Sequence, residues 1–215
     1  ATFSGTDIDF NSLDITIARL TYNLAMTLAA SEDIIFTGDS TLSSTLTLAG
    51  SSSVTISGCT LNTSTINNSG TIYLDGTSGA ATLSLDNGTT LTNSGVVQIT
   101  NDANTVTIQG DAGGTATFSG TDIDYNSNSV TLLRLNYNPI ATISSGEVIT
   151  ITGDTIFSTT LTINSGGVLR ISNCTLYAAA INNSGTIYIN APSSAATLSL
   201  DNGTTLTNSG VVQIT

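Results

Sequence analysis

With 215 residues and 39% apolar side chains, the chain can bury one sizeable core or two small ones. Its net charge of -12 rests on three arginines and no lysine, which leaves no basic patch for nucleic acid or an anionic membrane. There is no histidine, the commonest general base and metal ligand, so the composition points to a structural or binding protein rather than an enzyme.

Thr, Ser, Asn and Gly supply 108 residues, half the chain, a make-up that suits an extracellular or cell-surface protein. The sequence starts at Ala1 without a basic, apolar leader, and no apolar run reaches the ~18 residues a membrane span needs. It reads as soluble, without membrane insertion, and as either mature or cut from something longer.

The first ten residues, ATFSGTDIDF, return at 116 as ATFSGTDIDY, and AATLSLDNGTTLTNSGVVQIT at 80 returns unchanged at 195. Residues 1–100 align with 116–215 without a gap, with 61 identities. Residues 101–115 have no second copy, so the organisation is a 115-residue unit, 1–115, followed by an incomplete one, 116–215, in one continuous rod.

A finer pattern runs through each unit: one apolar residue, a polar corner, then two apolar residues separated by one. Along the chain these are Phe3 with Ile8 and Phe10, Leu28 with Ile34 and Phe36, Leu48 with Val54 and Ile56, Ile66 with Ile72 and Leu74, and Leu91 with Val97 and Ile99. The second copy restarts the pattern at Phe118, Ile143, Ile163, Ile181 and Leu206. An apolar-x-apolar pair is a short strand with one buried face, and SSG, NSG and NNSG are corners in which Gly supplies positive φ. Turns of 18 to 27 residues cannot enclose a core alone, so they must stack. The expected fold is all-β, a parallel β-helix (β-solenoid) with about five coils per 115-residue repeat. A sandwich of hairpins is the competing architecture, since Asp86-Asn87-Gly88 and Asp201-Asn202-Gly203 carry a hairpin-turn signal.

The runs INNSGTIYL, LTNSGVVQI and INSGGVLRI resemble the repeats of secreted right-handed parallel β-helix proteins, of the filamentous-haemagglutinin-like adhesin and autotransporter passenger type. The resemblance implies a right-handed coil, surface display, and adhesion or scaffolding; it carries over no catalytic residue.

Several residue sets are candidate sites. Thr precedes the first apolar residue in nine of ten coils (Thr2, Thr27, Thr47, Thr65, Thr90, Thr117, Thr142, Thr162 and Thr205), with Ala180 the exception. As an outward ladder these would stabilise neighbouring strands, or present hydroxyls to an ice lattice. Asp7, Asp9 and Asn11 recur as Asp122, Asp124 and Asn126, three oxygen-bearing side chains on one strand face that would suit calcium, or simply be solvated. Sequons at Asn62, Asn67, Asn87, Asn173, Asn182 and Asn202 allow glycosylation. Arg19 and Arg134, copies of each other, are expected to pair with nearby carboxylates, and Cys59 and Cys174 to be free, buried thiols. Tyr73 and Tyr188 should point outward, towards surface glycans or proteins. The functional expectation is an extracellular filament, stalk or adhesin shaft without enzymatic activity, whose partners are copies of itself end to end or further repeats of the same chain. The alternatives are an ice-binding solenoid and, behind it, a carbohydrate-binding or carbohydrate-cleaving β-helix.

Overall fold

The computed structural model describes residues 14–215 together with the backbone of Thr2–Phe3. Among these residues the regular elements are all strands, paired in parallel and stacked as a β-solenoid of about nine turns. The chain visits three faces in a fixed order. Ile15–Ile17 lies on face one, Thr21–Tyr22 on face two and Met26–Leu28 on face three; Asp33–Phe36, Ser40–Leu42 and Leu46–Leu48 then repeat the circuit.

Because strand side chains alternate, each apolar-x-apolar pair sends two side chains inward and one outward. The inward residues stack in register: Ile34, Val54, Ile72 and Val97 form one column, and Phe36, Ile56, Leu74 and Ile99 the next, all fully buried or nearly so. The second copy builds equivalent columns, on a different face, from Ile149, Leu169 and Ile187 and from Ile151 and Ile171. Burying each such side chain stabilises the fold by roughly 1.5–3 kcal/mol.

The single apolar residue of each triplet behaves differently. The turn from Leu48 to Ile66 is the shortest, and it slips the register by two. Ile66 therefore stacks on Leu46, and Asn68 falls opposite Leu48, inside the core. Asn68 Nδ2 donates to Asn93 Oδ1 at 2.8 Å and to the Val96 carbonyl at 2.9 Å; Asn93 Nδ2 donates to the Thr121 carbonyl at 3.0 Å. Asn183 and Asn208 reproduce this ladder in the second copy. The buried Asn68 and Asn93 amides are tolerated here because their Nδ2 groups find acceptors on the adjacent rung, although Asn68 Oδ1 is left without a partner.

The corners also depart from expectation. Gly146 in SSG has φ +86° and Gly166 in the NSG of INSGGVLRI +83°, but Gly70, Gly95, Gly185 and Gly210 of the other NSG corners do not have positive φ. Their reason is close approach: a Cβ on Gly95 would lie 2.1 Å from the Gly70 carbonyl oxygen, and one on Gly210 2.2 Å from that of Gly185.

Residues 101–115 have a geometric effect. They carry one strand, Val106–Gly110, on face two, together with its corners. That one strand adds a third of a turn, so every strand of the second copy lies one face further round. Ile15–Ile17 is on face one, whereas its copy within Ser129–Leu133 pairs with Val106–Gly110 on face two. Thr21–Tyr22 is on face two, and its copy within Leu135–Tyr137 is on face three. The nine-residue strands Thr155–Ile163 and Thr175–Asn183 run through a corner; their first halves continue face three, and their second halves pair with Ala141–Ile143 and Leu206–Asn208.

An aromatic column opens the second copy, directly above Leu91 of the first. Phe118 stacks on Tyr137, and Tyr137 packs against Phe157, each with ring centroids 5.0 Å apart. Phe118→Ala is expected to lower the unfolding free energy by about 3–5 kcal/mol in urea titration. Tyr177→Ala, at a residue 41% exposed, should cost much less; equal costs would contradict a continuous core.

Candidate functional site

The outward row of face two carries five threonines on successive rungs. Thr60, Thr82, Thr107, Thr131 and Thr150 stand opposite one another on successive rungs, and Arg170, Tyr188 and Gln213 continue the row. The face shift makes this row, since Thr131 and Thr150 are copies of Thr16 and Ile35, which lie on face one. Comparing the repeats position by position hides it, because the alignment assigns these threonines to different columns. The local signal, Thr followed by an inward apolar residue, is present at all five.

Two adjoining hollows lie along this row. One of about 450 Å³ is lined by Asp102, Asn104, Thr105, Ser129, Thr131 and Thr150, among others. Its wall is the loop that starts the uncopied segment. Asp102 Oδ2 accepts from the Ser129 N–H at 2.8 Å, and Asn104 Nδ2 donates to the Gly76 carbonyl at 2.7 Å, so the loop is tied to rungs on both sides. The second hollow, about 180 Å³, is lined by Thr150, Arg170, Ser172, Tyr188, Asn190 and Thr215. Thr150 borders both, so the two hollows follow one another along the row as a groove. At its far end the Arg170 guanidinium carbon sits 4.9 Å from the centre of the Tyr188 ring, a cation–π contact.

The threonines singled out in the sequence do not form one vertical ladder, because of the two-residue slip described above. Thr27 faces Thr47, but the next rungs of that row carry Asn67, Thr92 and Ser119. Thr65, Thr90 and Thr117 occupy a separate row on face three, which continues as Asn136, Ile156, Tyr177 and Ser199. In the second copy Thr142 faces Thr162, followed by Asn182 and Thr207. Thr205 belongs instead with Thr160 and Ala180. The side chain of Thr2 lies outside the described residues, as do Asp7, Asp9 and Asn11.

Asp122, Asp124 and Asn126 do not converge as a cation cradle. Asp122 turns inward and accepts hydrogen bonds from the Tyr137 hydroxyl, the Ile123 N–H at 2.9 Å and the Thr142 N–H at 3.1 Å. Asp124 Oδ2 accepts from Gln98 Nε2 at 2.5 Å, and Asn126 sits in a turn at φ +48°. Calcium would have to compete with these internal donors. Arg134 donates from Nε to the carbonyls of Gly110 at 2.9 Å and Asp111 at 3.2 Å rather than meeting a carboxylate there, and Arg19 is exposed.

Among the sequon asparagines, Asn67, Asn87, Asn182 and Asn202 are exposed and Asn62 is half-buried. Asn173 is half-buried, and its Oδ1 accepts from the N–H groups of Ser193 and Ser194. Cys59 and Cys174 are free and buried, their thiols directed at the carbonyls of Phe36 and Ile151. Burial, ahead of the Asp39 charge, pushes the Cys59 thiol up, and burial does the same at Cys174. No protein-family model matches the chain, and neither does any curated protein or solved structure.

Burial raises the Asp122 pKa, opposed by its three hydrogen bonds and aided by the Glu147 charge; Tyr137 and Tyr125 pack beside it with phenols held well above their ordinary range, chiefly by burial. A carboxyl whose folded pKa is raised stabilises the fold most when protonated. That contribution falls as pH rises from the unfolded value of about 3.9 through the higher folded one. In thermal melts from pH 3 upward, the wild type should lose ground to Asp122→Asn over that window and then run parallel to it. A pH-independent difference would contradict this.

Proposed function

We propose that this chain is a segment of an extracellular structural filament, stalk or adhesin shaft, of the type its repeats resemble among secreted β-helix proteins. The observation that supports this best is the continuity of the rungs across the repeat boundary. Val106–Gly110, Ser129–Leu133 and Val148–Ile151 join the two copies in one in-register parallel ladder, over a core that stays buried from Met26 to Ile187. Each added rung extends the same backbone pairing, so length and stiffness grow with repeat number. Further repeats of the same chain, or copies joined end to end, would lengthen the rod without a new kind of contact.

The reading assigns no catalytic residue. A carbohydrate-cleaving site needs an acid–base carboxyl pair facing substrate, and Asp122, a carboxyl whose pKa burial raises, is bonded inward to Tyr137 and two backbone amides. Antibodies raised against the purified rod should label unpermeabilised cells of the source organism, and small-angle scattering should give the profile of an elongated particle. Labelling only after permeabilisation would overturn the surface placement; a compact scattering profile would overturn the shaft.

A second reading, ice binding, rests on the five-threonine row of face two. Ice recognition needs a flat surface with a second matching column. Here the neighbouring outward positions are Asn62, Ser84, Gln109 and Leu133, and a hollow interrupts the flank. Thermal hysteresis in a nanolitre osmometer decides between the readings: the shaft predicts none, and hysteresis abolished by Thr107→Tyr would establish ice binding instead.

A further inference from the structure

We propose that the Arg170–Tyr188 end of the face-two groove binds the carboxylate of an acidic polysaccharide, while the threonine row and the Asp102–Thr105 wall hold its neighbouring hydroxylated sugars. The inference rests on the solenoid fold and not on where the chain is located.

The Arg170–Tyr188 end of the groove is lined by a positive charge and no carboxylate, against the acidic balance of the whole protein. The chain has three arginines. Arg134 is turned onto backbone carbonyls, whereas Arg170 is exposed and lies over the Tyr188 ring. Among the described residues no carboxylate lies within ion-pairing distance of Arg170. Stacking on an aromatic ring fixes the guanidinium plane and leaves its N–H edge available, the arrangement that recognises a carboxylate with two parallel hydrogen bonds. Repulsion from the remaining acidic groups is screened over about 8 Å at physiological ionic strength, so the local groups decide.

The first copy supplies an internal comparison. Thr150, Arg170 and Tyr188 stand in register in the second copy, as Ile35, Thr55 and Tyr73 do in the first. Ser172 and Thr215 match Ser57 and Thr100, while Asn190 stands where the first copy has Asp75. In the first copy the Asp75 carboxylate accepts from Thr77 and Ser57, and hydrogen bonding, against the opposing effect of burial, holds its pKa below the ordinary value. Relative to that surface the second copy has gained a positive charge, lost a negative one and exchanged an apolar side chain for a hydroxyl. All three differences suit an anionic, hydroxyl-rich ligand. Only the second copy lies on face two beside the groove formed by the uncopied loop, because of the one-face shift.

The shape suits a chain ligand. From Thr107 to Tyr188 the row spans four rung intervals, about 19 Å at the ~4.8 Å strand spacing, and hydroxyl and amide side chains border much of it, with the Asp102 carboxylate and Leu133 among them. Neutral hydroxyls and amides can exchange hydrogen bonds with sugar hydroxyls without the desolvation cost of burying unpaired charge.

The test is titration calorimetry of the intact chain at physiological salt with oligogalacturonate, sulfated dextran and neutral dextran. Oligogalacturonate is expected to bind, with Arg170→Gln weakening it about tenfold or more, as loss of a hydrogen bond to a charged group predicts. Arg19→Gln, a charge control on an exposed arginine outside the groove, should bind as the wild type does. Ile35→Thr/Thr55→Arg/Asp75→Asn should add on face one only a second, weaker site, since that face lacks the loop wall and the threonine row. The proposal is overturned if the wild type does not bind, if neutral dextran binds equally well, if sulfated dextran is preferred, or if Arg170→Gln binds unchanged. Unaltered circular dichroism and melting of the variants separates loss of the site from loss of the fold, and the scattering profile of the rod is independent of either outcome.

Discussion

The structure depends on one constraint: each rung's backbone donors and acceptors must be met by the rungs directly above and below it. A turn of 18 to 27 residues has too little interior to bury a core of its own. Parallel in-register pairing solves both problems together, since it fixes the rung spacing at about 4.8 Å and drives the inward side chains into continuous columns. What varies between turns must then be accommodated at corners. The short turn before Ile66 slips by two residues and brings Asn68 inward, where the Asn93 amide above meets it. The NSG glycines let stacked corners approach within the space a Cβ would fill.

The fold was legible in the sequence because the constraint leaves a periodic trace. Pairs such as Ile34/Phe36 and Ile72/Leu74 predict inward columns, and they stack as predicted. The buried thiols of Cys59 and Cys174 were readable too, from their place beside inward leucines. The threonine ladder was not. Reading it required the register of rungs whose turns differ in length, and a two-residue slip sends Thr47 to Asn67 instead of Thr65. The acidic cluster misled for a related reason: strand alternation would place Asp122 and Asp124 on one face, but Asp122 stands at the start of an irregular segment that pairs through a single bridge, where Tyr137 and two amides draw it inward.

The least legible feature is the one that builds the groove. Identity between copies suggests equivalent surfaces, yet fifteen uncopied residues containing one strand rotate the second copy by one face. Residues with matching sequence thus point in different directions, and residues with unlike histories, Thr107 from the uncopied segment and Thr131 and Thr150 from the second copy, join one row. A repeat that is not a whole number of turns distributes its surfaces around the axis, so a rod of near-identical units can carry a feature on one face at one level only. Arg170 and Asn190, which replace Thr55 and Asp75, use that freedom.

The most direct test of this account is a distance across the repeat boundary. Spin labels at Thr60→Cys and Thr150→Cys, with Cys59 and Cys174 replaced by alanine, report by double electron–electron resonance whether these two positions share a face. In-register stacking with a one-face shift predicts a narrow distribution near 19 Å, from four intervals of ~4.8 Å, broadened only by the label linkers. A distance set by the width of the rod, or a broad distribution, would show that the copies do not stack in this way.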